Sequence, residues 1–292
     1  MPVALFAPAK INLYLHVTGR RADGYHLLDS LIAFADIGDN LTVEPASSLS
    51  LAVSGPEAAT LAALGEDNLV VRAARLLADH AGIAAGAALH LEKRLPVAAG
   101  IGGGSSDAAA ALRVLTRLWR LPLSDEALCG LGARLGADVP ACLYGGAVWA
   151  GGVGDRLDPA GALPEAGILL ANPRRGLPTT EVFAAWRGPF GEAGRFAPMP
   201  HDAAGLAAAL APRHNDLTPA AIGLVPEIST VLGRLGRLPG SLLARMSGSG
   251  PTCFALFASR KAAEGGCALL RAAEPGWWCA AGGFVAGAAH NR

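Results

Sequence analysis

Charge of either sign is scarce in this 292-residue chain, and neither sign prevails. Asp, Glu, Lys and Arg make up only 16% of it, with 24 basic side chains against 24 acidic ones, while 52% is hydrophobic. Such a chain is not held unfolded by self-repulsion. Nor does it have the broad basic face by which proteins hold nucleic acid or anionic lipid, so any anion it binds needs a local, built site. Paired cysteine motifs are absent too. Cys129, Cys142, Cys253, Cys267 and Cys279 form no CxxC and are odd in number, which reads as free thiols in a reducing compartment. The opening MPVALFAPAKINLYL has no basic segment ahead of its apolar residues, and Lys10 and Asn12 interrupt them. Neither a secretory leader nor a membrane span is expected, and a cytoplasmic location is. Among the charged residues lysine is rarest: Lys10, Lys93 and Lys261 are the three present. A compact ammonium in an arginine-using chain invites a reason that a guanidinium would not serve; for Lys93 and Lys261 the sequence offers none beyond chance.

What is present alternates between the two periods of regular structure. Residues 10–17 place Ile11, Leu13, Leu15 and Val17 against Lys10, Asn12, Tyr14 and His16, predicting a half-buried strand with one polar face. Asp23-Gly24 makes a turn, and residues 25–34 return as a second strand. Short strands are expected at 41–44, 49–53 and 88–95, and helices at 67–81, from Ser105 to about Trp119, and from a Ser124 cap to about Leu135. Residues 155–165, with Pro159, Gly161 and Pro164, mark a domain junction. Beyond it come a strand at 168–171, a Gly/Pro-rich surface loop at 186–205, a helix at 222–235, a strand at 252–257 and a helix at 262–273. Without a regular βαβ beat or an internal repeat, the pattern indicates α+β in two domains, residues 1–158 and 159–292.

Five segments can carry chemistry. In Pro96-Val-Ala-Ala-Gly-Ile-Gly-Gly-Gly-Ser-Ser-Asp107, between a strand and a helix, glycines expose backbone N–H groups, the helix start adds unpaired donors and positive potential, and serines add hydroxyls. That is a phosphate cradle. No Gly-Lys-Ser/Thr follows, so it is no Walker A loop, and Ser105 spoils a dinucleotide fingerprint. Lys10 and Asn12 share the polar face of the first strand, although a lone strand lysine is usually just solvated. Asp138 lies in Gly136-Ala-Asp-Val-Pro140, where a turn-forming aspartate is the plainer account. Tyr25-His26 sets two planar rings after a turn, suited to a nucleobase or to a half-buried strand. Ser247-Gly-Ser-Gly-Pro251 is a second glycine-serine loop that approaches an anion or simply turns the chain.

Taken in order, Pro8-Ala-Lys-Ile-Asn-Leu13, the central glycine-serine loop and Gly248-Ser-Gly250 resemble the three motifs of the GHMP kinases, along nearly the whole chain. More local wording resembles the branch that phosphorylates 4-diphosphocytidyl-2-C-methyl-D-erythritol: Lys10-Ile-Asn-Leu-Tyr-Leu-His-Val17, Gly19-Arg, Arg21-Ala-Asp-Gly-Tyr-His26, Gly102-Gly-Gly-Ser-Ser-Asp107, Gly136-Ala-Asp-Val-Pro140, Pro178-Thr-Thr-Glu-Val-Phe183 and Asn215-Asp-Leu217. Ile101 replaces a usual leucine, and residues 186–205 match little. The resemblance implies an N-terminal domain related to a ribosomal-protein fold, a C-terminal ferredoxin-like domain, an active site between them, and an uncommon left-handed βαβ crossover. It implies an ATP-dependent kinase of non-mevalonate isoprenoid precursor synthesis, with Lys10 and Asp138 catalytic. Pro96, Gly100, Gly102, Gly103, Gly104, Ser105 and Ser106 would hold the ATP phosphates, with Mg²⁺ arriving on ATP and no protein-built metal site. Asn12, Tyr25, His26, Phe183, Gly248 and Ser249 would bind a small substrate carrying a cytidine diphosphate group. Neither nucleic acid nor membrane is an expected partner, and a monomer or weak homodimer is. The rivals are a homoserine- or mevalonate-type kinase, whose acceptors carry no cytosine, and a non-catalytic nucleotide sensor on the same fold. No role for Asn215-Asp-Leu217 follows from the sequence.

Overall fold

The computed structural model describes residues 2–62, 68–84 and 86–285; the Asp67 start expected for the first helix and residues 286–292 lie outside them. The chain forms two compact units that interleave along the sequence. Unit 1 comprises Met1–Ala9, Gly38–Val97 and Gly102–Tyr144; unit 2 comprises Lys10–Ile37, Ala98–Ile101 and Gly145–Arg292. Two long paired strands, β1 (Val3–Arg20) and β2 (His26–Pro45), contribute residues to both. The expected strand at 41–44 is therefore the continuation of β2.

In unit 1, β3 (Leu49–Ser54), α1 (Ala58–Ala62), α2 (Leu69–Ala81) and β4 (Ala87–Glu92) make a βαβ unit, with β3 parallel to β4 and β4 antiparallel to the end of β2. The Asn68 side chain caps α2 by accepting from Val70 N–H, and Gly82 ends it in the left-handed region. Val70, Ala73, Ala74 and Leu77 form its buried stripe. They pack with Ala108, Leu112 and Leu115 of α3 (Gly103–Leu118) and with Leu128 and Leu131 of α4 (Asp125–Leu135), which Ser124 caps as expected. A short α5 (Val139–Tyr144) closes the unit. Leu77 and Leu112 are fully buried, so truncating either to alanine costs about 2–5 kcal/mol.

In unit 2, β5 (Val148–Gly152) pairs antiparallel with the first part of β2 and with β6 (Arg156–Pro159). The remainder runs β7 (Gly167–Asn172), α6 (Thr179–Ala185), α7 (Ala203–Leu210), α8 (Thr218–Leu224), α9 (Glu227–Gly236), β8 (Ser241–Met246), β9 (Cys253–Phe257), α10 (Arg260–Ala273) and β10 (Trp278–Gly283). Its antiparallel sheet has the order β10-β7-β9-β8. Strand–helices–strand–strand–helix–strand in that order is the ferredoxin-like arrangement. The helix expected at 222–235 is two helices, because Pro226 cannot continue the hydrogen-bond ladder. The sequence reading missed β5, β6, β8 and β10 and the short helices α1, α5, α6 and α7, the last of which begins inside the loop expected at 186–205; VWAGG and WCAAGG, for instance, are too rich in glycine and alanine to alternate. Among the described residues no helix is long and apolar enough to cross a membrane.

The half-buried character expected of β1 is corrected by the structure. Lys10, Asn12, Tyr14 and His16 are all buried, as are the apolar residues between them. Partners from other segments let most of the polar face sink: Asn12 Nδ2 donates to Ser30 Oγ (2.8 Å), Tyr14 O–H donates to Asp29 Oδ2 (2.6 Å), and His16 Nδ1 lies 2.9 Å from the Glu192 carbonyl.

Candidate active site

Within unit 2, parts of three segments singled out in the sequence meet. Lys10 N–H donates to the Ile101 carbonyl (2.9 Å), and Asn12 N–H donates to Ser247 Oγ (3.1 Å). Ser247 Oγ donates in turn to the Gly100 carbonyl (3.2 Å), and Thr252 N–H to the Ala99 carbonyl (3.2 Å). The middle of β1, residues 98–101 and the loop 247–252 are thus hydrogen-bonded into one patch. Glycine is needed where they touch: a Cβ at Gly100 would stand 2.4 Å from the Gly250 carbonyl oxygen, and one at Gly248 2.7 Å from that of Gly100. Lys10 is only 4% exposed, so the solvated-lysine account fails. Asn12 Oδ1 is buried without a hydrogen-bond partner, and a buried acceptor left unpaired is costly unless a ligand donor meets it.

Asn215, whose role the sequence left open, holds this patch. Its Nδ2 donates to the Met246 and Gly248 carbonyls (2.9 and 2.8 Å), and its Oδ1 accepts from Leu217 N–H (3.0 Å). Asp216 Oδ2 accepts from Val17 N–H (2.6 Å), tying the same segment to β1. The residue 186–205 loop is anchored through Asp29, whose Oδ2 also accepts from Gly194 N–H (2.6 Å).

The aromatic set is partly assembled. Phe183, on α6, stacks on the His26 ring at 5.2 Å and 23°, and Trp186 meets His26 edge-on at 5.3 Å. Tyr25 stands 66% exposed, outside this stack. Trp186 was missed because it sits in a stretch whose composition signals only a loop. Burial first, then the nearby Arg20 charge, lower the His26 pKa below its ordinary value, favouring a neutral ring with one donor and one acceptor nitrogen. Thr179, at the start of α6, shares a 2.8 Å hydrogen bond with Ser249 Oγ, joining the Pro178-Thr-Thr-Glu segment to the second glycine-serine loop.

In unit 1 the rest of the central loop forms the start of α3. Gly102 is its N-cap at φ 61°, no side chain caps it, and the first turn holds no acidic residue. The first-turn N–H groups of Gly103, Gly104 and Ser105 therefore keep the character of an anion site. Ser106 is placed differently from Ser105: it is buried, and its hydroxyl donates to the Pro8 carbonyl (2.7 Å) with Cys142 Sγ at 3.3 Å. Pro96 leads into the loop. Asp138 sits half-buried between α4 and α5, its carbonyl accepting from Cys142 N–H. Lys93, which looked like chance, is buried between Asp39 and Asp107. A lysine shortly before the glycine loop was the available signal, but nothing local identified its two partners.

The family model described as the GHMP kinases N terminal domain matches residues 68–146, and that of the GHMP kinases C terminal matches residues 200–272. A 4-diphosphocytidyl-2-C-methyl-D-erythritol kinase of Rhodospirillum rubrum is 54% identical over 275 residues, covering 94% of this chain and 90% of its own. One from Cereibacter sphaeroides is 55% identical over 282 residues, covering 94% and 96%. The crystal structure of a 4-(cytidine 5'-diphospho)-2C-methyl-D-erythritol kinase superposes with a TM-score of 0.80 at 39% identity, covering 98% of this chain and all of that one. Homoserine kinase from Cytophaga hutchinsonii, at 19% identity and a TM-score of 0.72 over 98% and 95% of the two chains, shares the fold. With both family models matched in order, and relatives of more than half identity along almost its full length, this chain belongs to the GHMP kinases.

Proposed function

We propose that the chain is an ATP-dependent kinase that phosphorylates the 2-hydroxyl of 4-diphosphocytidyl-2-C-methyl-D-erythritol, a step in isoprenoid precursor synthesis. The observation that carries this reading is the likeness, at 54–55% identity across 94% of the chain, to enzymes of that name. The stacked His26–Phe183 pair supports a cytosine-reading acceptor site in place of one for homoserine or mevalonate.

In this reading the N–H groups of Gly102 to Ser105 receive the ATP phosphates, with Gly100 shaping the loop and the Ser106 hydroxyl fixing it to Pro8. Mg²⁺ travels with the nucleotide. Phe183 and Tyr25 take the two faces of the cytosine, which requires the Phe183 face now against His26 to be shared or exchanged, and His26 hydrogen-bonds its polar edge. The unpaired Asn12 Oδ1 accepts a hydroxyl of the acceptor alcohol beside the Gly248-Ser249 loop. The acceptor oxygen forms a bond to the γ-phosphorus as the bond to ADP breaks, and the hydroxyl proton passes to Asp138. A carboxylate of pKa about 4 cannot generate a free alkoxide. In a loose transition state the proton leaves late, so Asp138 orients the hydroxyl more than it activates it. Lys10 offsets the charge on the transferring group. We place the functional division at residues 158 and 159, with the N-terminal family match (68–146) before it and the C-terminal match (200–272) after. The five cysteines, none of them in a disulfide, suit a cytoplasmic enzyme.

ADP release from Mg-ATP with the cytidyl alcohol, homoserine and mevalonate as separate acceptors tests the reading. Turnover confined to the cytidyl alcohol is expected. Turnover with another acceptor removes the cytosine assignments, and nucleotide binding without turnover on any of the three leaves a sensor.

A further inference from the structure

Lys93 is 2% exposed, and its Nζ lies 2.5 Å from Asp39 Oδ2 and 2.6 Å from Asp107 Oδ2. Both carboxylates are buried as well. A buried ion cluster of this kind seldom earns its place through stability, since apolar residues of the same volume do as well; what it gives is a fixed arrangement. Here the arrangement spans both ends of the phosphate loop. Asp39 Oδ1 accepts from Arg94 and Leu95 N–H (2.6 and 2.9 Å), the residues entering the loop. Asp107 is in the second turn of α3, just past the loop's exit. The ammonium lies under the first turn itself, 3.1 Å from where a Cβ on Gly103 would be. The backbone of Lys93 is fixed in turn, its N–H donating to the Ser54 carbonyl (2.8 Å) and its carbonyl accepting from Glu57 N–H (3.1 Å).

The charges do not cancel. One ammonium faces two carboxylates, and Asp107 Oδ1 is buried with no hydrogen-bond partner among the described residues. Behind a helix start whose partial positive charge serves phosphate, each added negative charge works against the ligand, in a medium that screens poorly.

We propose that Lys93 acts on the phosphate cradle as a buried counter-charge beneath the first turn of α3, and that nucleotide affinity follows the net charge of the Lys93–Asp39–Asp107 cluster. The proposal rests on Gly102 to Ser105 being the ATP-phosphate site. Formally the cluster carries one negative charge in the native protein, two in Lys93→Met, none in Asp107→Asn, and one again in the double variant.

The test is calorimetric titration of Mg-ATP, without acceptor, into the four proteins at pH 8, each first checked for folding by circular dichroism and thermal unfolding. Asp107→Asn binds tightest, roughly tenfold above the native protein, the native protein and the double variant agree within about threefold, and Lys93→Met is no tighter than the native protein. A role confined to packing predicts instead that the double variant is at least as impaired as Lys93→Met. That result, or equal affinities of the native protein and Asp107→Asn, overturns the proposal. If Lys93→Met does not fold, Asp107→Asn and the double variant still differ by one charge, and equal affinities overturn it. Acceptor turnover is read separately: the affinity order with no phosphorylation of the cytidyl alcohol upholds this inference and defeats the substrate assignment, whereas a native protein that does not bind ATP defeats the cradle and the inference together.

Discussion

Replacing Asn215 by alanine tests whether the second glycine-serine loop is held by the latch described above. The residue is 4% exposed, so water does not readily replace its side chain. The substitution leaves the Met246 and Gly248 carbonyls and the Leu217 N–H without their partners at 2.9, 2.8 and 3.0 Å. At the lower end of the penalty for an orphaned buried group, about 1 kcal/mol each, the loss comes to about 3 kcal/mol, a large share of a typical 5–15 kcal/mol stability. The chemical denaturation midpoint should fall with little change in slope. Because Gly248 lies against Asn12 Oδ1, KM for the acceptor should rise more than KM for ATP. Asn215→Asp sharpens the test: it keeps the shape and the acceptor for Leu217 N–H but turns a carboxylate toward two carbonyls, so it should be at least as destabilised as the alanine variant. A stability loss below about 0.5 kcal/mol in Asn215→Ala, or a native-like Asp variant, would refute the latch.

Other perturbations separate the remaining roles. Asp138→Asn should lower kcat by orders of magnitude while both substrates still bind; near-normal turnover would remove Asp138 from the chemistry. Tyr25→Ala and Phe183→Ala should each weaken binding of the cytidyl alcohol and spare ATP, by about 1 kcal/mol or more for a lost stacking partner; equal loss of both ligands would point to damaged folding. Burial, opposed by Lys93 and reinforced by the like charge of Asp39, raises the Asp107 pKa to about 7. A carboxyl group whose pKa is raised on folding adds stability below its unfolded value near 4, and that contribution disappears as pH rises towards 7. Urea midpoints at pH 5 and pH 8 should therefore fall further for the native protein than for Asp107→Asn, and parallel changes would contradict the shift.

The features legible in the sequence are those written in neighbouring residues. The α3 start follows from consecutive glycines and serines, the α4 start from Ser124, and the β1–β2 turn from Asp23-Gly24. The family motifs are contiguous words, so their chemistry is carried by the order of residues alone. The tertiary structure decided what depends on residues far apart in the chain. Lys93 meets Asp39 from 54 positions away and Asn215 meets Gly248 from 33, and no period of 2 or 3.6 encodes such pairs. Alternation along β1 indicated a polar face, but only partners brought in by other segments, Ser30, Asp29 and the carbonyl of Glu192, allowed that face to be buried. The interleaving of the two units was hidden for the same reason: a strand's pattern records which side is apolar, whereas the unit it joins is set by the contacts that cover it.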